Sequence, residues 1–375
     1  MPITKVVVNL VDEPSYEVRI GKSLLEGLGA HLQKSNANQQ ANQQANQQAL
    51  IISDSNVAPL YLSVLKQSLA AAKYRVVDIV LPAGEASKSI DCATEIWEAM
   101  ANTKFPRDGK VFALGGGVVG DIAGFVASTY MRGVGVIQIP TSLLSMVDSS
   151  VGGKTGINLG AGKNLVGTFT QPLHVCASVD TLETLPDKEW VCGFAEIAKS
   201  AVIDSDEFFF WLVDSASSLV NRDEAAVAEA VTRSVVFKAN VVARDTKEGK
   251  GIRECLNYGH TFGHAIELCA GYGTFSHGQA VAEGMRFAAR LGAALVGTSP
   301  DFVQAQDELL DALGLETLTW TAAPEELLAA MQGDKKVRQG AMRFVLPRDV
   351  GSWELVEVDT ETVLEHLQAR EKSLT

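Results

Sequence analysis

The sequence predicts an α/β N-terminal domain with a Rossmann-like parallel sheet, followed by a mainly α-helical C-terminal domain. Up to about residue 185, short apolar runs alternate with amphipathic segments, which is typical of a parallel sheet covered by helices on both faces. Beyond that point, apolar residues recur at the helical period. The 375 residues also exceed what one core usually holds. We therefore predict two domains, residues 1–185 and 186–375.

In the first half, each predicted strand is a β-branched or apolar run and each predicted helix carries an apolar stripe. Strands are predicted at Lys5–Leu10, Tyr16–Ile20, Ala49–Ser53, Val76–Leu81, Lys110–Leu114 and Gly135–Ile139. Helices are predicted at Ser23–Gln33, Ala58–Ala72, Ser89–Asn102 and Gly120–Tyr130. The first two strands alternate in polarity, as the strands of a hairpin do.

The second half is predicted to be helical until two short strands near its end. Helices are predicted at Lys188–Val202, Asp206–Ser215, Asp223–Asp245, Asn257–Leu268, Gly278–Val296, Pro300–Leu313 and Pro324–Gln332. The strands are predicted at Ala341–Leu346 and Ser352–Val356. This change of pattern is the reason for the predicted boundary near residue 185.

One segment of the first half has low complexity. Residues 37–48 are three copies of Ala-Asn-Gln-Gln, and they lie between the first helix and the strand Ala49–Ser53. Such a polar tract does not bury enough apolar area to offset the entropy of ordering it. We interpret residues 37–48 as a disordered insertion.

The composition argues against several classes of protein. The formal net charge of −13 opposes binding to nucleic acid or an anionic membrane, which depends on Lys and Arg. No stretch reaches the roughly 18–20 unbroken apolar residues of a membrane span, and residues 1–10 do not resemble a secretory signal. The five cysteines form no CxxC pair, which favours reduced thiols and a cytoplasmic location. The composition still allows the binding of an anionic small molecule, provided that basic residues are concentrated at one site.

A glycine-rich turn is a candidate for binding a dinucleotide. Gly115–Asp121 follows a predicted strand, opens a predicted helix and matches G-x-G-x-x-G. Glycines there allow the backbone to approach a pyrophosphate at a helix N-terminus. The usual acidic residue about 20 positions later is missing, so Asp54 is the alternative partner for the ribose. A turn with a purely structural role is the alternative interpretation of the glycines. Gly152–Gly156 resembles part of a P-loop, but its upstream glycine is absent.

Three of the six histidines fall within 18 residues: His260, His264 and His277. The first two are four apart on a predicted helix and share a face, and paired histidines with a distant ligand are typical of catalytic zinc. Spacing alone makes both His260 and His264 ligands, and histidines that only pack or cap helices remain the alternative. Glu196 is a candidate carboxylate ligand. Its apolar neighbours favour a buried pair with Lys199 over a surface ion pair.

Together, these motifs resemble the 3-dehydroquinate synthase family of the sugar-phosphate cyclases. The resemblance runs from about Asp54 to Leu346, and in this order the set is specific. The segments that carry it are Leu81–Ser89, Gly115–Asp121, Tyr130–Gly133, Pro140–Leu144, Asp148–Asn158, Gly193–Lys199, Asn257–Glu267 and Asp334–Lys336.

The resemblance implies roles for individual residues. The implied zinc ligands, which Co²⁺ also suits, are Glu196, His260 and His277, so His264 would lie beside the substrate phosphate instead. The implied NAD-binding residues are Asp54, Asn56, Gly84, Glu85, Lys88, Gly116, Gly117, Val118, Gly120, Asp121, Thr141, Ser142, Lys154, Lys163, Thr181, Leu182, Glu183 and Thr184. The implied catalytic and substrate-binding residues are Asp148, Lys154, Asn164, Lys199, Lys238, Arg253, Asn257, His264 and Lys335. Arg132 is implied to reach a neighbouring subunit's site, because the family is typically dimeric.

The implied activity is that of a phosphorus-oxygen lyase of the shikimate pathway, which serves aromatic amino acid biosynthesis. The substrate is a small phosphorylated sugar acid, 3-deoxy-D-arabino-heptulosonate 7-phosphate, and the products are 3-dehydroquinate and phosphate. Transient oxidation by NAD precedes phosphate elimination, re-reduction and an intramolecular aldol step. The alternatives are another cyclase acting on an aminated or carboxylate-free sugar, a metal-dependent alcohol dehydrogenase, and a non-enzymatic NAD-binding module.

The composition of residues 37–48 generates a first prediction. We expect a short Gly-Ser linker in their place to leave turnover and melting temperature nearly unchanged, because a solvated tract contributes no packing. Thermal unfolding of the two proteins is the measurement. A loss above about 2 kcal/mol would show that the tract packs against the rest of the chain.

Overall fold

The computed structural model describes residues 2–11, 13–36, 47–160, 162–271, 273–333 and 341–374. The chain forms two compact units: one of Met1–Leu185 with Lys238–Lys247, and one of Pro186–Phe237 with Glu248–Thr375. The segment Lys238–Lys247, which the sequence assigned to the second domain, thus groups with the first unit. Residues 37–46 of the repeat tract, and Lys335 with its neighbours in the last motif, lie outside the described residues.

The first unit alternates strands and helices, as the sequence predicted. Its strands are β1 (Thr4–Val8), β2 (Tyr16–Gly21), β3 (Gln48–Asp54), β4 (Arg75–Leu81), β5 (Lys110–Gly115), β6 (Gly135–Pro140), β7 (Lys154–Leu159), β8 (Gly162–Phe169) and β9 (His174–Ser178). Its helices are α1 (Leu24–Asn36), α2 (Ala58–Ala71), α3 (Ile90–Asn102) and α4 (Gly117–Thr129).

Among the described strands, seven form one sheet in the order β1-β2-β9-β6-β5-β3-β4. Strands β1 and β2 are antiparallel, and the remaining neighbours run parallel. Because β3 lies between β4 and β5, the direction of winding reverses there. Open α/β sheets bind their ligands at the carboxyl ends of the strands at such a reversal. The ends of β3 and β5 are therefore where a ligand is expected.

Alternation along β3 shows why both faces of the sheet are covered. Leu50 and Ile52 belong to one core cluster, with apolar side chains of α3 and α4. Ala49 and Ile51 belong to the other, with side chains of α1 and α2. Successive side chains of a strand point to opposite faces, so an unbroken apolar run buries both.

The second unit is mainly helical, again as predicted. Its elements are α5 (Asp187–Asp204), α6 (Asp206–Val220), α7 (Glu224–Arg244), α8 (His260–Ala270), α9 (His277–Leu295), α10 (Pro300–Ala312), α11 (Pro324–Gln332), β10 (Ala341–Asp349), β11 (Ser352–Asp359) and α12 (Thr360–Leu374). The last residues of α7 belong to the first unit. Helix α9 packs against both α5 and α8. None of the helices described has the length and apolar character needed to cross a membrane.

The structure differs from the sequence-based expectation at several elements. Helix α4 begins at Gly117 instead of Gly120, because the backbone already turns helical within the glycine run. The segment from Lys154, for which the sequence predicted no strand, is β7 and pairs with β8 in an antiparallel hairpin. The short strand β9 and the terminal helix α12 were not predicted.

The last residue of the repeat tract also differs from its prediction. Gln48 is buried, begins β3 and aligns with Arg75 of β4 in the parallel register. It is therefore part of the sheet, so a linker that replaces the tract must end before Gln48.

Candidate functional site

The glycine run lies at the carboxyl end of β5, where the sheet reverses. Gly116 caps the N-terminus of α4, and a Cβ added to it would lie 3.4 Å from Ser142 Oγ. A Cβ on Gly117 would lie 3.2 Å from Ser149 Oγ. No side chain in the described part of the chain caps the first turn of α4, so its amides suit an anionic group.

The predicted NAD-binding residues around this turn form a connected network. The Lys88 ammonium, which is buried, donates to Asp121 Oδ2 at 2.7 Å and to Asn164 Oδ1 at 2.5 Å. Asn158, to which the sequence gave no role, donates to Glu85 Oε1 at 2.8 Å and accepts from the Asn164 amide at 2.9 Å. Burial raises the pKa of Asp121, and the charge of Lys88 counteracts part of that rise.

Other predicted cofactor residues lie at neighbouring strand ends. Asp54 Oδ1 at the end of β3 accepts from the Asn56 and Val57 amides at 2.8 and 3.1 Å, which fixes this carboxylate at the start of α2. Beyond β9, the Tyr61 hydroxyl lies 3.0 Å from the Thr181 carbonyl and 2.7 Å from Thr184 Oγ1. Tyr61 is a second residue that the sequence did not indicate. The cradle of glycines, the uncapped helix end and these polar groups fit a dinucleotide.

The predicted metal ligands converge from three helices of the second unit. Glu196 lies on α5, His260 is the first residue of α8, and His277 is the first residue of α9. His260 Nε2 lies 3.5 Å and His277 Nε2 lies 3.7 Å from Glu196 Oε1. The three ligand atoms all lie within 4.8 Å of one another.

Local sequence places these ligands. Gly259, in the left-handed conformation at φ 78°, precedes His260, and a Cβ there would lie 2.6 Å from the Val281 carbonyl of α9. A Cβ on Gly278 would lie 2.5 Å from Cys192 Cα of α5. Only glycine permits both approaches. A capping box formed by Ser276 and Gln279 begins α9 at the histidine.

Both imidazoles are held through their other nitrogen. His260 Nδ1 lies 3.1 Å from the Tyr258 carbonyl, and His277 Nδ1 lies 2.9 Å from Glu267 Oε2. An Nδ1–H that donates to these oxygens leaves each Nε2 lone pair directed at Glu196. Second partners of this kind orient metal-binding histidines. Glu267 and the Tyr258 carbonyl had no role in the sequence prediction.

The electrostatics of the cluster suit a divalent cation. The Glu196 side chain is buried, the Lys199 ammonium contacts its Oε2, and its Oε1 faces the two imidazole Nε2 atoms. Burial, then the charge of Lys199, holds the pKa of His260 well below its usual range. Burial also lowers the pKa of His277, but Glu267 and Glu196 outweigh it and the net shift is upward. A buried carboxylate facing imidazole lone pairs fits Zn²⁺.

The prediction that Glu196 and Lys199 form a buried pair is confirmed. Each side chain is 3% exposed, and the two form an ion pair three residues apart on α5. Lys199 is therefore the countercharge of the carboxylate in the structure.

A competing set of ligands shares one histidine with this cluster. His264, Glu267 and His277 also place ligand atoms within 4.8 Å of one another, and the rings of His260 and His264 are 5.4 Å apart. Glu267 is already hydrogen-bonded to His277, and His264 is exposed. These two facts favour His260 over His264 as the ligand, which stays a prediction.

The remaining predicted substrate residues are placed within their own units. In the first unit, Lys238 Nζ donates to Asp148 Oδ1 and to its carbonyl, each at 2.7 Å. Lys154, Lys163 and Arg132 are exposed there. In the second unit, Arg253 is buried and Asn257 ends the turn that contains it.

Comparison with known proteins agrees with this chemistry. Two family profiles match adjacent parts of the chain: "3-dehydroquinate synthase N-terminal" over residues 78–192 and "3-dehydroquinate synthase C-terminal" over residues 193–337. A curated 3-dehydroquinate synthase of Rhodopirellula baltica is 42% identical over 365 residues, covering 97% of this chain and 96% of the relative. One of Xanthomonas campestris pv. campestris is 48% identical over 327 residues, covering 85% and 88%.

Solved structures with the same fold include other cyclases. A 2-deoxy-scyllo-inosose synthase complexed with carbaglucose-6-phosphate, NAD⁺ and Co²⁺ is 24% identical, with a TM-score of 0.86 and coverage of 98% of this chain and 99% of that one. A 2-epi-5-epi-valiolone synthase from Streptomyces hygroscopicus subsp. jinggangensis, with NAD⁺ and Zn²⁺ bound, is 27% identical, with a TM-score of 0.84 and the same coverage.

The geometry separates the two neighbouring histidines of α8. We expect His260→Ala and His277→Ala to purify with little zinc and no activity, because two protein ligands hold zinc poorly. His264→Ala should keep near-stoichiometric zinc and turn over slowly. Metal analysis of the purified proteins is the measurement, with Glu196→Gln alongside and His366→Ala as a control. Loss of zinc from His264→Ala but not from His260→Ala would show that the competing set, His264, Glu267 and His277, holds the metal.

Glu267 is expected to act through His277. Glu267→Gln keeps an acceptor for the Nδ1 hydrogen but removes the charge that strengthens the imidazole as a ligand. We expect the zinc dissociation constant to rise about 10–100-fold, measured by competition with a chelating dye. Glu361→Gln, an exposed substitution on α12, is the matched control. Equal zinc affinity of Glu267→Gln and Glu361→Gln would show that Glu267 does not orient His277 for metal binding.

Proposed function

The chain belongs to the 3-dehydroquinate synthase family, and on that basis we propose how its own residues convert 3-deoxy-D-arabino-heptulosonate 7-phosphate to 3-dehydroquinate and phosphate. The observation that supports this most is the convergence of two oriented imidazoles on the buried Glu196. In the first unit of the same chain, Gly116 and Gly117 form a turn that suits a dinucleotide. The enzyme is a lyase of the shikimate pathway.

NAD and a divalent metal are its cofactors, and the proposed metal ligands are Glu196, His260 and His277. When bound, NAD takes and later returns a hydride at a secondary alcohol, while zinc lowers the pKa of that hydroxyl and polarises the resulting ketone. Because the hydride is returned, the net reaction is phosphate elimination and ring closure with no overall oxidation. The chain's residues must hold the substrate for each of these steps.

Basic residues supply the affinity for a substrate with two anionic groups, a carboxylate and a phosphate, in a chain of net charge −13. The Arg253 guanidinium suits the carboxylate, because its fork of donors binds two oxygens at once. The ammonium groups of Lys154, Lys199 and Lys238 suit the phosphate as point charges. Asp148 accepts from Lys238 and so fixes its direction.

Lys199 has two proposed partners in turn. In the structure its ammonium pairs with the Glu196 carboxylate. Glu196, when it holds a metal, would have its charge balanced by that ion, which would leave the Lys199 ammonium for the substrate. Burying an ammonium is costly without an anion beside it, which gives the substrate phosphate or carboxylate a strong partner here.

Phosphate elimination requires a base for the proton next to the new carbonyl. His264 is exposed on the same helix as His260, and it is one candidate for that base. The departing phosphate itself is the other. The subsequent aldol step is intramolecular, so the residues that bind the two ends of the chain also hold the reacting carbons near each other.

We further propose a cytoplasmic homodimer in which Arg132 reaches the partner's site. All five cysteines are unpaired with one another, as expected in a reducing compartment. Met131 and Arg132 are exposed and both adopt the left-handed conformation, at φ 49° and 65°. Strained backbone at an exposed arginine is consistent with a functional constraint on its direction.

The direct test of the function supplies NAD, zinc and 3-deoxy-D-arabino-heptulosonate 7-phosphate. We expect phosphate release with no net NADH, because the hydride is returned within each turnover. Accumulating NADH would indicate an alcohol dehydrogenase. Release of phosphate only from an aminated or carboxylate-free sugar phosphate would indicate another cyclase, and NAD binding without turnover would indicate a binding module.

Mixing two inactive variants tests the shared site. A mixed dimer of Arg132→Ala and His277→Ala chains has one complete site, formed by the ligands of one chain and the arginine of the other. After unfolding and refolding together, about a quarter of wild-type activity should return, since half of the dimers are mixed and each has one complete site. Each variant refolded alone is the control. Activity that stays at the level of the separate variants would place Arg132 in its own chain's site.

A further inference from the structure

A second cluster of metal-ligand side chains lies in the first unit, near the amino ends of β2 and β9, whereas the glycine run follows the carboxyl end of β5. Glu17 of β2 and His174 of β9 are aligned partners in the parallel register, so their side chains point to the same face of the sheet. His174 is the first residue of β9, whereas the proposed cofactor residues Thr181–Thr184 follow the end of that strand. The cluster is therefore separate from the cofactor site.

Helix α1 brings a second imidazole to this pair. Cys176, two residues after His174 and on the same face, packs in the core cluster that contains Leu28 and Leu32 of α1. These leucines flank His31 along the helix, which explains why its ring lies 4.9 Å from that of His174. Three separate elements thus contribute one ligand residue each.

The distances between the three ligand atoms are close to those expected around a bound metal ion. His31 Nε2 lies 3.5 Å from Glu17 Oε1, and the three ligand atoms lie within 4.8 Å of one another. Zinc bonds of about 2.1 Å at tetrahedral angles place neighbouring ligand atoms about 3.4 Å apart. A small inward shift of His174 would therefore complete the set.

His174 is the observation that indicates a ligand. Its side chain is buried, with 5% exposure, and its Nε2 has no hydrogen-bond partner within the described residues. A buried ring nitrogen of this kind costs free energy unless something binds it. Glu17 Oε1 is buried and likewise accepts no hydrogen bond there.

The charges around the cluster are compatible with a cation. Burial holds the pKa of His174 down at about 3 and, with Arg19, lowers that of His31. Both rings are therefore neutral near pH 7, and neither must lose a proton to bind a metal. Lys5 and Arg19 lie 3.6 and 3.8 Å from the Glu17 carboxylate and compete for it, so binding is expected to be weaker than at Glu196.

We propose that Glu17, His31 and His174 form a second zinc site, which ties β2, β9 and α1 together and takes no part in the reaction. Two imidazoles and one carboxylate are a ligand set that zinc prefers, with water as the fourth ligand. The predicted role is structural, because binding to the folded chain alone stabilises it.

Zinc titration of four full-length proteins tests the proposal: wild type, His31→Gln, His277→Ala and the double variant. Calorimetry should give one more equivalent of zinc for the wild type than for His31→Gln. His277→Ala, which purifies with little zinc because the second site is the weaker one, should still bind one equivalent when zinc is added, and the double variant should bind none. Zinc should also raise the melting temperature of His277→Ala but not that of the double variant.

Two further variants act as controls. His366→Gln, a histidine on α12 outside both clusters, should bind as much zinc as the wild type. His174→Asn should lose the same equivalent as His31→Gln, and full phosphate release by His31→Gln would show that the fold is intact. Equal zinc binding by His277→Ala and by the double variant would overturn the proposal. So would a wild type that binds a single equivalent at saturating zinc.

Discussion

The second unit depends on one constraint, the burial of the Glu196 carboxylate. A buried charge is tolerated only beside an opposite charge or a metal, and here two imidazoles and Lys199 surround it. Their positions require α5, α8 and α9 to approach more closely than side chains with a Cβ allow. Gly259 and Gly278 meet that requirement, so the backbone packing and the site chemistry have the same cause.

The direction of each imidazole is set by residues that never touch the carboxylate. The Tyr258 carbonyl and Glu267 accept from the two Nδ1 atoms, which leaves the two Nε2 atoms to converge. Spacing along α8 treats His260 and His264 alike, because both lie on one face of the helix. The hydrogen bonds and the burial of side chains in the folded chain distinguish them. Sequence reasoning therefore found the histidines but could not rank them without a family resemblance.

The first unit was the easier half to predict. The apolar run of β3 buries both faces of the sheet, and its neighbours repeat that signal, so strand and helix order follow from periodicity. The hairpin of β7 and β8 was not predicted, because its glycines suggested a loop. Gly156 and Gly167 face each other across the two strands, and a Cβ on Gly156 would lie 2.7 Å from the Val166 carbonyl. Glycine there serves close approach in a sheet, and the same composition also suits a loop.

The chain carries two proposed sets of two histidines and one glutamate, and only one of them was visible in the sequence. His260 and His264 are recognisable in the sequence because residues four apart lie on the same face of a helix. Glu17, His31 and His174 span more than 150 positions, and only the parallel register of β2 with β9 and the packing of α1 bring them together. Local spacing therefore draws attention to a site only where two of its neighbouring side chains share one element. A site assembled across a sheet becomes visible only once the strand order is known.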